Sequence, residues 1–173
     1  MATQTRRTLA VLHPAFALTG ICHSISGPLL PSLAPAFHLN DSQAGLLLFC
    51  YFAGTSLGAL LCGPRHARTL TLGFLALTGA ALAVAATGRV FLYPVFLLFG
   101  ICVGAPMTAV SMHVGRAFGA RSAAPLTFLN FSWSAGALMA PLLAARMLVH
   151  HSFRAAYVIL ACAALVVAIA CRL

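Results

Sequence analysis

The chain has almost no acid. Asp41 is its one carboxylate side chain, and it has no lysine at all. A catalytic base would therefore have no carboxylate to support it. Charged residues make up only 6% of the sequence, against about 25% in a soluble domain. The six cysteines (Cys22, Cys50, Cys62, Cys102, Cys162 and Cys171) include no CxxC and no Cys/His ligand spacing, so they read as small hydrophobes. No metal site and no cofactor are expected. The net charge of +9 invites a nucleic-acid reading, but the ten arginines are dispersed rather than gathered on one face, and that reading fails. Tryptophan occurs once, at Trp133.

What remains is apolar. Hydrophobic residues are 62% of the 173, and the mean hydropathy is +1.02. No soluble core of this size absorbs that much apolar surface, so lipid is the solvent for most side chains. A bilayer core takes about 20 apolar residues per helix, and six spans use up the chain. They are expected at 9–33, 43–62, 69–87, 90–114, 123–147 and 154–171. Asn40-Asp41-Ser42 is a candidate N-cap for the second, and Gly63-Pro64-Arg65-His66 a turn before the third. Arg6-Arg7 resembles an export signal, but a signal peptide has one short apolar stretch. The pair is better read as a topology anchor.

Arginine placement sets the orientation. With the N-terminus inside, the inner segments hold Arg6, Arg7, Arg65, Arg68, Arg116, Arg121 and Arg172, and the outer loops only Arg89, Arg146 and Arg154. Both termini are expected in the cytoplasm. Arginine-only, alanine-rich usage points to a GC-rich bacterial genome, and the expected location is a bacterial inner membrane.

One phrase is written twice. Residues 12–22 read Leu12-His-Pro14-Ala-Phe16-Ala-Leu18-Thr-Gly20-Ile21-Cys22, and residues 92–102 read Leu92-Tyr-Pro94-Val-Phe96-Leu-Leu98-Phe-Gly100-Ile101-Cys102. Seven of the eleven positions are identical. Fainter echoes follow: Ala53-Gly54 in Ala135-Gly136, then Ala80-Ala81-Leu82 in Ala163-Ala164-Leu165, as the offset drifts from 80 to 82 to 83. Spans one to three thus match spans four to six, over units of about 9–87 and 90–171. Three is odd, so the second unit enters the membrane from the opposite side. The expected fold is an all-α integral membrane protein, one domain over 1–173, with a 3+3 inverted repeat of the kind secondary transporters use.

The passage Gly27-Pro28-Leu-Leu-Pro31, then Phe37-His-Leu-Asn40-Asp41-Ser42-Gln43-Ala-Gly45, resembles the helix 1 to helix 2 region of major facilitator superfamily transporters. The whole chain looks like their N-terminal six-helix half. Leu129-Asn130, Gly136-Ala137 and Pro141-Leu142 look most like the sugar-permease branch that includes fucose permeases. The resemblance implies a central cavity lined by helices 1 and 4, with 2 and 5 beside them. It also implies a signature between helices 2 and 3. Gly58 matches its glycine, and Arg65, His66 and Arg68 its basic part, but Cys62 or Gly63 stands where an acid belongs. The coupling carboxylates of fucose-permease-like proteins are missing too. His23, a partner half or facilitated diffusion would have to replace them.

A polar side chain deep in a span is costly and usually faces a cavity or a partner. The substrate-binding candidates are His23, Asn130, Trp133, Ser134, Tyr51 and Thr108, with Thr19, Ser26 and Ser111 weaker. Asn130, Trp133 and Ser134 fall at i, i+3 and i+4. His23 is replaced by Val103 in the second unit, so packing does not require it. His113, His150 and His151 lie near interfaces with no partner for a metal site. Gly54-Thr55-Ser56-Leu57-Gly58 mimics a hydrolase elbow, but in an apolar span it reads as G-x-x-x-G, which lets helix backbones approach. Gly54, Gly58, Gly136 and Ala140 are expected to pack helices or join a dimer.

The expected function is transport of a small neutral solute such as a sugar. The carrier would be a dimer with itself or with a second six-helix chain in the bilayer. The rivals are a non-transporting remnant or assembly subunit, and an intramembrane serine protease using Ser56. Single cysteines placed at residues 1 and 173 should both resist a membrane-impermeant thiol reagent added outside intact cells. Labelling of one end alone would break the inverted repeat.

Overall fold

The structure is a computed structural model that describes residues 2–62, 66–150 and 152–171, with side chains described over 10–62, 69–149 and 152–171. It is all helix among these residues: α1 (Ala2–Ala36), α2 (Asp41–Leu61), α3 (His66–Ala86), α4 (Leu92–Phe118), α5 (Ala123–His150) and α6 (Phe153–Ala170). Single 3-10 turns at Arg89–Phe91 and Gly119–Arg121 lead into α4 and α5. Five helices, α2 to α6, are long and apolar enough to cross a bilayer. α1 has the length, but four prolines and the polar His13, His23, Ser24 and Ser26 dilute its apolar run.

Local chemistry sets the ends. α1 stops in a Schellman motif: Leu39 N–H donates to the Ala34 carbonyl at 2.8 Å and His38 N–H to the Pro35 carbonyl at 3.2 Å. His38 takes the left-handed conformation (φ 51°) that this motif needs. α2 opens on a capping box. Gln43 N–H donates to Asn40 Oδ1 at 2.9 Å, and Asn40 N–H to Gln43 Oε1 at 3.1 Å. The acid Asp41 sits in that first turn, where the helix dipole favours it. The last carbonyls of α3 are met by α6, because Arg154 donates to the Ala85 and Thr87 carbonyl oxygens. Past the end of α2, the Cys62 thiol donates to Met112 Sδ at 3.9 Å.

In lipid no hydrophobic force drives helices together, and close packing must do that work. Two crossings bring backbone onto backbone. At the α2–α4 crossing, a Cβ on Gly54 would overlap the Leu97 carbonyl oxygen, and one on Gly58 that of Ile101. From the other side, Gly100 abuts the Tyr51 carbonyl and Gly104 that of Thr55. At the α1–α5 crossing, Gly20 abuts the Trp133 carbonyl and Gly136 that of Ala17, with Ala140 fully buried nearby in sequence. Of the two roles expected for Gly54, Gly58, Gly136 and Ala140, the structure shows the packing of helices. They are buried against helices of the same chain, because only a residue without a side chain, or nearly so, fits those crossings.

α3 packs against α4 and α6. The aromatic core lies among α2, α4 and α6, where Tyr51 stacks on Phe99 (5.6 Å, 27°) and Tyr157 meets Phe99 edge-on at 5.5 Å. Replacing Gly100 by Leu should destabilise the protein by about 3 kcal/mol or more, the top of the overpacking range, because backbone atoms cannot yield. Gly27→Ala, with open space around it, should leave thermal melting in detergent unchanged or slightly raised.

Candidate functional site

A groove of about 350 Å³ opens between α1, α4 and α5, lined by Phe16, Met107, Thr108, Ser111, Asn130 and Trp133. Helix spacing explains the set. Thr108 and Ser111 lie one turn apart on α4, and Asn130 and Trp133 one turn apart on α5. Proline Pro106 lies inside α4 just before them. The six side chains carry no charge. The walls offer aromatic and thioether surface, two hydroxyls and one amide. The Ser111 hydroxyl donates back to the Met107 carbonyl at 3.3 Å and keeps its acceptor capacity.

Trp133 forms the inner wall. Its Nε1 is buried and has no hydrogen-bond partner. His23 packs against it, ring centroid to ring centroid 5.5 Å. His23 is half-buried, and its Nδ1 is likewise buried without a partner. Phe52 at 5.5 Å and Tyr51 at 6.2 Å complete an aromatic surround.

The structure thus brings Thr108, Asn130 and Trp133 together, with His23 against the indole but outside the groove lining. Two expected residues do not join them. Tyr51 is completely buried, and its hydroxyl donates to the Cys22 carbonyl at 2.9 Å. It is a core residue, corrected from a substrate ligand because its one polar group is already satisfied away from the groove. Ser134 is exposed on α5 and lines none of the groove; one residue beyond Trp133 turns about 100° around the helix. The weaker candidates Thr19 and Ser26 are buried and satisfied. Thr19 donates to the Phe16 carbonyl at 2.7 Å, and Ser26 pairs with the Tyr157 hydroxyl at 3.3 Å. Gly58 packs on α4. Arg65 lies outside the described residues, as does the side chain of Arg68.

Phe16 and Met107 line the groove without having been among the candidates, and His13 was missed as well. His13 Nδ1 lies 2.7 Å from Ser132 Oγ, and its ring meets Phe128 edge-on at 5.1 Å. It ties α1 to α5 one turn before the groove residue Phe16. A signal was present, since His13 is a polar break in the repeated phrase where the second copy has Tyr93.

The sequence profile of the Major Facilitator Superfamily matches residues 12–173. The chain belongs to this superfamily. It is thereby placed among transmembrane transporters rather than in an enzyme class. No curated protein matches the chain significantly. In this superfamily member the neutral groove between α1, α4 and α5 is the candidate solute-contacting surface. Tyr51→Phe should cost about 1 kcal/mol in melting experiments, the net worth of one hydrogen bond. It should leave binding at the groove unchanged.

Proposed function

We propose that this chain carries a small neutral solute, a sugar, across a bacterial inner membrane with both termini in the cytoplasm. It works as a pair of six-helix units, a second copy supplying the facing wall, and rocking of one unit against the other moves the solute. The observation that carries this reading is the uncharged groove. Anionic substrates call for an arginine or a helix N-terminus, and the groove has neither; its amide, hydroxyls and indole suit hydroxyl groups and the apolar face of a sugar ring. The likeness of the fifth span to sugar permeases supports the same class.

The inverted 3+3 plan also gains support. Gly20 and Gly100 occupy the same place in the repeated phrase. Gly20 abuts Trp133 and Ala137 of α5, and Gly100 abuts Tyr51 and Thr55 of α2, which are each other's repeat mates. Exchanging the triplets exchanges the two crossings. The large side chains exposed on α2 and α5, Phe49, Phe52, Phe131 and Leu138 among them, leave a surface for the second unit.

Reconstituted protein should take up labelled L-fucose or a related neutral sugar. Asn130→Ala and Trp133→Phe should each lower uptake about tenfold or more, as loss of one polar contact to the bound solute implies at about 1–3 kcal/mol. Wild-type vesicles that move none of these sugars would overturn the sugar reading and favour a non-transporting role. Variants as active as wild type would displace the site.

A further inference from the structure

Two sulfur atoms meet where α2 ends. Cys62 is the residue just past that helix, and its thiol donates to Met112 Sδ of α4 at 3.9 Å. The partners are 50 residues apart in the chain, so no ligand spacing in the sequence points to them. Both side chains are half-buried. An ion can therefore reach them from the helix end without crossing the bilayer core.

The glycine crossing holds this pair in place. Gly54 abuts Leu97 and Gly58 abuts Ile101, so α2 and α4 run in the same direction through their contact. Cys62 lies about one turn past Gly58, and Met112 about two turns past Gly104, which itself abuts Thr55. The sulfurs are carried by two helices locked backbone to backbone. Ligands positioned before their ion arrives bind it with less ordering cost.

The chemistry of the pair selects the ion. Thiolate and thioether are soft ligands that suit Cu(I), whereas Mg(II) and Ca(II) seek oxygen. An ion about 2.3 Å from each sulfur, the length of a metal–thiolate bond, would see the pair 3.9 Å apart at an angle of about 116°. That is close to trigonal and leaves a third position for water or a small thiol. Charge decides the valence. One thiolate and one monovalent ion sum to zero, the least costly state at the edge of a bilayer, while a divalent ion leaves a net charge. Cys62 is also the C-cap of α2, and a helix C-terminus favours a cation. Among the described residues no three histidine, cysteine or acid side chains gather to hold a metal, so the fourfold set of a structural zinc ion is not what these sulfurs belong to.

We propose that Cys62 Sγ and Met112 Sδ form a binding site for one Cu(I) ion. Binding is a substitution with no redox change. The thiol S–H bond breaks and its proton goes to water; the thiolate forms one S–Cu bond and the Met112 thioether donates a second pair. The ion stays Cu(I) throughout. Two coordinate bonds replace one weak S–H···S contact and pin the end of α2 to α4. The site shares no residue with the groove, and it stands whether or not the chain carries a sugar.

The purified full chain, reduced and kept free of oxygen in detergent, is titrated with Cu(I) against the coloured chelator bicinchoninate. Wild type should withdraw one equivalent, and it should melt at a higher temperature with the ion bound. Met112→Leu, which nearly keeps the side-chain volume, should weaken binding by at least the about tenfold that losing even an outer-shell partner costs a metal site. Cys62→Ser and Cys62→Ala should both abolish binding; if one of them does not fold, the other decides. Cys162→Ser, which removes an exposed thiol on α6, should bind as wild type does. Zn(II) at the same concentration should not raise the melting temperature. No copper withdrawn by wild type, binding by Met112→Leu equal to wild type, or retention by a folded Cys62 variant overturns the site. Loss of binding in Cys162→Ser moves it elsewhere and overturns it too. An equal response to Zn(II) overturns the choice of a soft monovalent ion.

Discussion

Everything in this molecule depends on two places where helix backbones touch. Within lipid, apolar side chains gain nothing by leaving their surroundings, so helices hold together where their atoms approach most closely. Gly54, Gly58, Gly100 and Gly104 remove the side chains that would keep α2 and α4 apart, and Gly20 and Gly136 do so for α1 and α5. Each carbonyl oxygen that fills a glycine gap fixes the rotation of its helix about its own axis. That rotation decides which side chains face the groove and which face lipid.

The groove follows from that rotation. The Trp133 carbonyl is seated on Gly20, and the indole lies against His23 of α1 and lines the groove with Thr108 and Ser111 of α4. The same seating leaves Ser134 exposed on α5. The α2–α4 crossing drives Tyr51 inward until its hydroxyl reaches the Cys22 carbonyl and its ring covers Phe99. What remains at the groove is neutral.

Much of this was legible in the residues. The six helices fall close to the expected spans, and Asn40 caps α2 as its position suggested. Two ends run further than hydropathy implied: α4 continues to Phe118 and α1 begins at Ala2, because helical hydrogen bonding does not stop where the apolar stretch stops. The small-xxx-small spacings were read correctly as sites of close backbone approach. Their partners were not legible, since a glycine pattern says that something comes near without saying which helix it is. His13 escaped notice because its partner Ser132 is 119 residues away in the chain.

The sequence alone determined the solvent, the number of helices and the residues able to carry polarity into lipid, because these depend on composition and on hydropathy over one span. Tertiary structure alone decided which of those polar residues meet. Tyr51 and Trp133 are repeat mates with similar chemistry on paper, yet one is sealed in the core and the other walls a groove. The two carbonyls take equivalent seats on Gly100 and Gly20, so the difference comes from what surrounds each side chain: Phe99 and the Cys22 carbonyl for Tyr51, the groove residues for Trp133. Those surroundings are contacts between distant segments, which no local pattern encodes.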